Sequence, residues 1–83
     1  MRIAIRYFAS IREALGSEET VEVEPGTSLG GLRDMLIAGD AVHAQALARG
    51  RALRVALNQS LGDESAPLAD GDEVAFFPPV TGG

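Results

Sequence analysis

The segment Arg2-Ile3-Ala4-Ile5-Arg6-Tyr7-Phe8 alternates with the period of an extended strand. Ile3, Ile5 and Tyr7 fall on one face; Arg2, Ala4, Arg6 and Phe8 fall on the other. Residues 72–77 repeat the pattern near the other end, with Val74 and Phe76 on one face and Phe77 opposite. A two-sided strand near each end implies one core that both ends of the chain help to close.

Between them, Ser10 and Glu13 have the spacing of a capping box for a short helical turn, which Gly16 would stop. Residues 19–24 read as a second strand, with Val21 and Val23 inward and Glu22 and Glu24 outward. The connection is short, so the first two strands should pair. Pro25-Gly26 marks a turn, and Thr27 or Ser28 caps a helix with Leu29, Leu32, Met35 and Leu36 as its apolar stripe. Gly30 and Gly31 weaken its first turn by about 1 kcal/mol each relative to alanine. Gly39-Asp40 ends or kinks this helix, and residues 41–49 predict a second helical piece. Residues 52–58 predict a third strand, Asn58-Gln59 a turn, Pro67-Leu68-Ala69 a single helical turn and Asp70-Gly71 a tight turn before the last strand. The order β, β, α, β, β around one main helix predicts a two-layer α+β domain. We read it as a ubiquitin-like β-grasp: a mixed sheet on one main helix, with the terminal strands side by side. Residues 1–77 form this domain and residues 78–83 an extended tail.

Composition bounds the chemistry. Eighty-three residues suffice for one small core but not for a deep, dry active site as well. There is no cysteine, one histidine (His43) and no lysine, which excludes disulfides, thiolate nucleophiles and multi-histidine metal sites. No metal site is expected. A net charge of −5 argues against binding nucleic acid by phosphate neutralisation. The short apolar runs predict neither a membrane span nor a signal peptide, making the cytoplasm the expected location. All seven arginines lie in residues 1–54 with seven acids, whereas residues 55–83 hold five acids and no base. That excess reads as solvated turns or as an acidic surface for a basic partner. The glycines before the main helix lack the lysine and spacing of a phosphate loop. Asp70, Asp72 and Glu73 lack a calcium loop's alternation. Glu13 is explained by capping, and His43 has no second ligand nearby in the chain.

The tail departs from ordinary structure. Pro78 and Pro79 remove two backbone donors in a row, so the last strand's ladder must stop. They also favour extended backbone. Six extended residues reach roughly 20 Å at about 3.3 Å each. Gly82 and Gly83 leave the end without side chains, a shape suited to carrying a carboxylate into a narrow tunnel.

The run Asp70-Gly71-Asp72-Glu73-Val74-Ala75-Phe76-Phe77-Pro78-Pro79-Val80-Thr81-Gly82-Gly83 resembles the ending of the small, sulfur-carrier subunits of molybdopterin synthase. Tyr7-Phe8-Ala9, Ile11-Arg12-Glu13 and Asn58-Gln59 fit the same family, and the resemblance spans the chain. It implies that Gly83 is adenylated with ATP by a ubiquitin-activating-like adenylyltransferase, then converted by a persulfide donor to a thiocarboxylate. The tail, with Pro78, Pro79, Val80, Thr81 and Gly82 behind it, would enter the large subunit. There it would give sulfur to cyclic pyranopterin monophosphate, building the dithiolene that later holds molybdenum. The resemblance further implies a heterotetramer, no permanently bound cofactor, sulfur carried covalently, and catalysis supplied by partners.

Phe8 and Phe77 lie opposite the inward faces of their strands, so neighbouring strands would place both rings on an exposed surface near the tail's root. The competing role is closure of the sheet's rim. The resemblance adds Leu61 to Phe8 and Phe77 as an apolar contact with the large subunit. Arg2, Arg6 and Arg54 share that open face and could pair with partner acids or with Glu22 and Glu24. Alternatives are a carrier for thiamine or tRNA thiolation, a protein modifier joined to lysines through Gly83, and a binding module with an inert tail.

Overall fold

The computed structural model describes residues 1–79; Val80, Thr81, Gly82 and Gly83 lie outside the described residues. β1 (Arg2–Tyr7) alternates as expected, with Ile3, Ile5 and Tyr7 buried. It pairs antiparallel with β2 (Glu18–Glu22), Ile3 opposite Val21 and Ile5 opposite Glu19. Partners across a ladder share a face, so the register turns Glu19 inward, to the margin of the core.

The helix between them, α1 (Ala9–Leu15), corrects the expected cap. It starts after Phe8, which makes no side-chain capping bond, and Ala9 enters at φ +54. Ser10 therefore already lies inside the first turn, and the Ser10–Glu13 box does not form. Gly16 ends the helix as expected, at φ +89 with its N–H donating to the Arg12 carbonyl at 2.8 Å.

Ser28 caps α2 (Leu29–Gly39), its hydroxyl accepting from the Gly31 N–H at 3.0 Å. The buried stripe is Leu29, Leu32, Arg33 and Leu36, while Met35 is 39% exposed. Arg33 belongs to the stripe because polar groups await it. Its Nε donates to the Leu47 carbonyl at 2.8 Å, one terminal nitrogen to Ala48 O at 2.7 Å and the other to Glu64 at 2.9 Å. Asp40 then caps α3 (Ala41–Ala46), its carboxylate accepting from the His43 N–H at 2.8 Å. This helix is shorter than expected. The carbonyls of Leu47 and Ala48, past its end, receive the Arg33 guanidinium instead of helical N–H groups.

β3 (Arg54–Leu57) turns through Asn58 (φ +50) and Gln59 (φ +71) into β4 (Ser60–Leu61), a two-residue strand the sequence pattern did not suggest. Two positive-φ residues in a two-residue loop suit the twist of a hairpin, and asparagine tolerates the first position well. Its amide also clips the last strand, donating to Asp72 at 3.0 Å and accepting from the Glu73 N–H at 2.9 Å. The Pro67-Leu68-Ala69 segment is not a helical turn. Pro67 bridges Ser28, and the Leu68 N–H donates to Thr27 O at 3.1 Å, holding the loop against the start of α2.

β5 (Glu73–Phe77) lies between β1 and β3, parallel to the first and antiparallel to the second. The sheet order is β2-β1-β5-β3-β4. Val74 and Phe76 are fully buried, joining the inward residues of β1 and the stripe of α2 in one core. This mixed five-stranded sheet with its helices on one side is the ubiquitin-like β-grasp expected.

Candidate functional site: the tail root on the open sheet face

The parallel pairing of β1 and β5 brings both strand ends to the same margin of the sheet. Inward Tyr7 and Phe76 stack there, with centroids 6.1 Å apart and ring planes 18° from parallel. Their chain neighbours are turned the other way. Phe8 and Phe77 meet edge to face on the open side at 6.5 Å and 86°, a favoured aromatic geometry. Phe8 is 38% exposed, so this contact leaves much of its ring in water. The Phe8 N–H donates to Phe76 O at 3.2 Å, fixing where β1 departs from β5.

The chain leaves the sheet at Pro78-Pro79, neither of which has an N–H to extend the ladder. Both prolines are half-buried. With Phe8, Ala9 and Phe77 they line an open hollow of about 520 Å³ whose surface is almost wholly apolar. Arg6 extends over this group, its guanidinium carbon 5.5 Å from the Phe8 centroid.

Phe8 and Phe77 are thus brought together as expected. Leu61 shares their face through the row Arg6–Ala75–Ala56–Leu61 but stands two strands beyond β5, roughly 10 Å away at strand spacing. At 66% exposed it borders the same surface without lining the hollow. Of the tail residues, Pro78 and Pro79 are at the site; the expectations for Val80, Thr81, Gly82 and Gly83 fall outside the described residues.

The acids of the last third are largely committed to local structure. Asp70 accepts the Arg2 N–H at 2.7 Å, and Asp72 accepts from Ala69 N–H at 2.8 Å. The Asn58 amide, with the Ala69 N–H, holds Asp72 below the usual carboxylate range. Ser65, through hydroxyl and N–H, does the same for Asp63. Glu64 takes Arg33 and Arg49, with Arg49 the larger cause of its lowered pKa. The turn reading of this charge therefore accounts for most of it. Among the described residues no cluster of histidine and carboxylates is arranged to hold a metal ion, and no helix is long and apolar enough to cross a membrane.

The sequence pattern missed one group of polar residues. His43 is not isolated: Nε2 lies 2.7 Å from Glu19 Oε2, and Nδ1 lies 2.9 Å from the Asp40 carboxylate. The Tyr7 hydroxyl donates to the same Glu19 oxygen at 2.7 Å. Burial works against the charged imidazole, but the bonds to Glu19 and Asp40 outweigh it and raise the His43 pKa. Burial, with Glu19 adding to it, pushes the Tyr7 hydroxyl far up. Only the inward register of Glu19 could have signalled this chain of contacts.

Comparison with known proteins places these features in a family. The model of the ThiS family matches residues 5–83. A molybdopterin synthase sulfur carrier subunit of Escherichia coli is 43% identical over 81 residues, covering 98% of this chain and 99% of that protein. In Helicobacter pylori, a solved complex of subunits 1 and 2 of molybdopterin-converting factor contains a chain with TM-score 0.70 and 30% identity, covering 100% of both. The small archaeal modifier protein 1 of Haloferax volcanii superposes with TM-score 0.77 at 27% identity, over 95% of this chain and 98% of that one.

Proposed function

This chain belongs to the ThiS family, and we propose on that premise that it is the sulfur-carrier subunit of a molybdopterin synthase. The observation that carries the reading is the apolar tail root. Two aromatic rings stand on the open face of the sheet, where the double proline ends the ladder. A partner that covers this root fixes the origin of the tail, and Gly83 can then be delivered to a site the carrier does not itself contain. The relative solved as a complex of two subunits of molybdopterin-converting factor supports a large-subunit partner.

The chemistry proposed is carried by the Gly83 carboxylate. A carboxylate is a poor electrophile. Attack of its oxygen on the α-phosphorus of ATP in an activating adenylyltransferase releases pyrophosphate and installs AMP as a leaving group. The terminal sulfur of a persulfide then attacks the carbonyl carbon and expels AMP. Cleavage of the resulting sulfur–sulfur bond by a thiol leaves the thiocarboxylate, which donates its sulfur to cyclic pyranopterin monophosphate in the large subunit. No cysteine or lysine of the chain competes for the activated acyl group. The carrier contributes the reactive end and the docking face; its partners contribute the catalytic groups and ATP.

Intact-mass measurement after incubation with the adenylyltransferase, ATP and a persulfide donor tests the first half. The expected result is replacement of one oxygen by sulfur at Gly83. Adding the large subunit and the pterin precursor should consume the sulfurated form. An unchanged mass, with pterin sulfuration intact after deletion of Gly82-Gly83, overturns the reading. The likeness to a small archaeal modifier protein favours a second reading, attachment to lysines of other proteins through Gly83. High-molecular-weight adducts in the same incubation would select it.

A further inference from the structure

The tail root is not purely apolar. Arg2, Arg33 and Arg49 pair with carboxylates, whereas Arg6, Arg12, Arg51 and Arg54 have no ion pair among the described residues. Two of those four flank the aromatic pair. Arg6 lies over the Phe8 ring, and Arg54 stands directly across from Phe77 in the β3–β5 register. Both are exposed.

The placement of Arg6 is informative because an acid is at hand. Glu18 is its partner across the β1–β2 ladder, yet no ion pair joins them, and the guanidinium sits over the aromatic ring instead. Arg2, on the same face four residues earlier, does take its cross-strand acid, Glu22 at 3.4 Å. Along one face of β1, then, charge is neutralised away from the tail and left open beside it. The chain as a whole carries a net charge of −5. An acidic partner surface is therefore repelled by most of this molecule and attracted at this margin, which selects one docking orientation.

We propose that Arg6 and Arg54 make the tail root a mixed apolar–cationic docking surface, matched on the large subunit by an apolar recess bordered by carboxylates. The inference rests on the large-subunit reading above and deepens it by stating the chemistry of the partner's surface. Phe8 and Phe77 supply desolvated contact area, and the two guanidiniums supply register and encounter rate. Arg6, already ordered against a ring, loses less side-chain freedom on binding than a free surface arginine.

The test is calorimetric titration of the same organism's large subunit with the wild-type chain, the double variant Arg6→Glu/Arg54→Glu, the milder Arg6→Gln/Arg54→Gln, and Phe77→Ala. Melting curves check that each variant folds. At about 0.1 M salt, where the screening length is about 10 Å, the double reversal should weaken binding at least tenfold, and the glutamine pair less. At about 1 M salt, with screening near 3 Å, the charge variants should approach the wild type while Phe77→Ala stays weak. Wild-type affinity independent of salt, with both charge variants binding as tightly as the wild type and Phe77→Ala impaired, overturns this inference and leaves the large-subunit reading standing. Absence of wild-type binding at either salt overturns that reading, and this inference with it.

Discussion

Arg33 and Arg6 are chemically identical and are put to opposite uses. Arg33 is 4% exposed, and its guanidinium nitrogens donate to the carbonyls of Leu47, Ala48 and, more weakly at 3.5 Å, Arg51, and to Glu64, joining α2 to the segment after α3 and to the loop before Pro67. Beside it, Gly30 lets that loop approach so closely that an added Cβ would lie 3.0 Å from Glu64 Cβ and 3.1 Å from its carbonyl oxygen. Arg6, on the opposite side of the sheet, has no side-chain hydrogen bond or ion pair among the described residues and rests on an exposed ring. The first region is saturated and holds the fold together. The second has contact area and charge without partners among the described residues, which is the condition of a surface that completes itself on another protein.

This contrast can be broken in several ways. The largest effect belongs to the tail: one residue added after Gly83 should abolish pterin sulfuration while leaving the melting temperature unchanged. Retained sulfuration would contradict delivery by the terminal carboxylate. Arg33→Met should cost about 3 kcal/mol of stability, because it strips donors from buried carbonyls and leaves Glu64 with one partner fewer. Denaturant titration measures this, and a loss below about 1 kcal/mol would deny Arg33 its role as the tie between helices. Phe77→Ala should invert that pattern, costing about 2 kcal/mol in affinity for the large subunit and less in stability. Equal affinity would return Phe77 to rim closure.

Two smaller effects sharpen the saturated side. Gly30→Ala should destabilise by about 1 kcal/mol net, since crowding against Glu64 costs more than the roughly 1 kcal/mol that alanine adds to helix propensity. A stabilised variant would show that the loop yields freely. His43 should make stability depend weakly on pH. Its folded pKa is raised above the ordinary imidazole value of 6.5, so the stabilisation is fully present below 6.5 and is lost as pH rises through the folded value. The stability difference between wild type and His43→Gln should therefore shrink with rising pH, and a pH-independent difference would mean the imidazole is not held charged.

What could be read in advance followed from local period and turn chemistry. The alternation of β1 and β5 placed Ile3, Ile5, Val74 and Phe76 inward and Phe8 and Phe77 outward, which is the whole basis of the site. Ser28, Gly16 and Asn58-Gln59 were legible because their roles act within four residues. Most of what was not legible depends on a partner distant in sequence. Arg33 takes the position expected for Met35 because carbonyls fourteen and fifteen residues away need its donors. Glu19 turns inward toward a histidine twenty-four residues away. Pro67 is straightened by a bridge to Ser28. The two-residue β4 offers too short a run for any period to show.

The position of β5 between β1 and β3 also sets a timetable. The central strand of the sheet is the last of the described strands to be synthesised, so neither β1 nor β3 can find this partner until the chain through Phe77 has left the ribosome. The pairing of Phe8 with Phe77 joins the first strand's end to the last strand's end, and so waits on β5. A chain lacking its last strand therefore lacks the paired rings of the tail root, and on the function proposed above a partner that docks there would meet only chains in which that strand is in place.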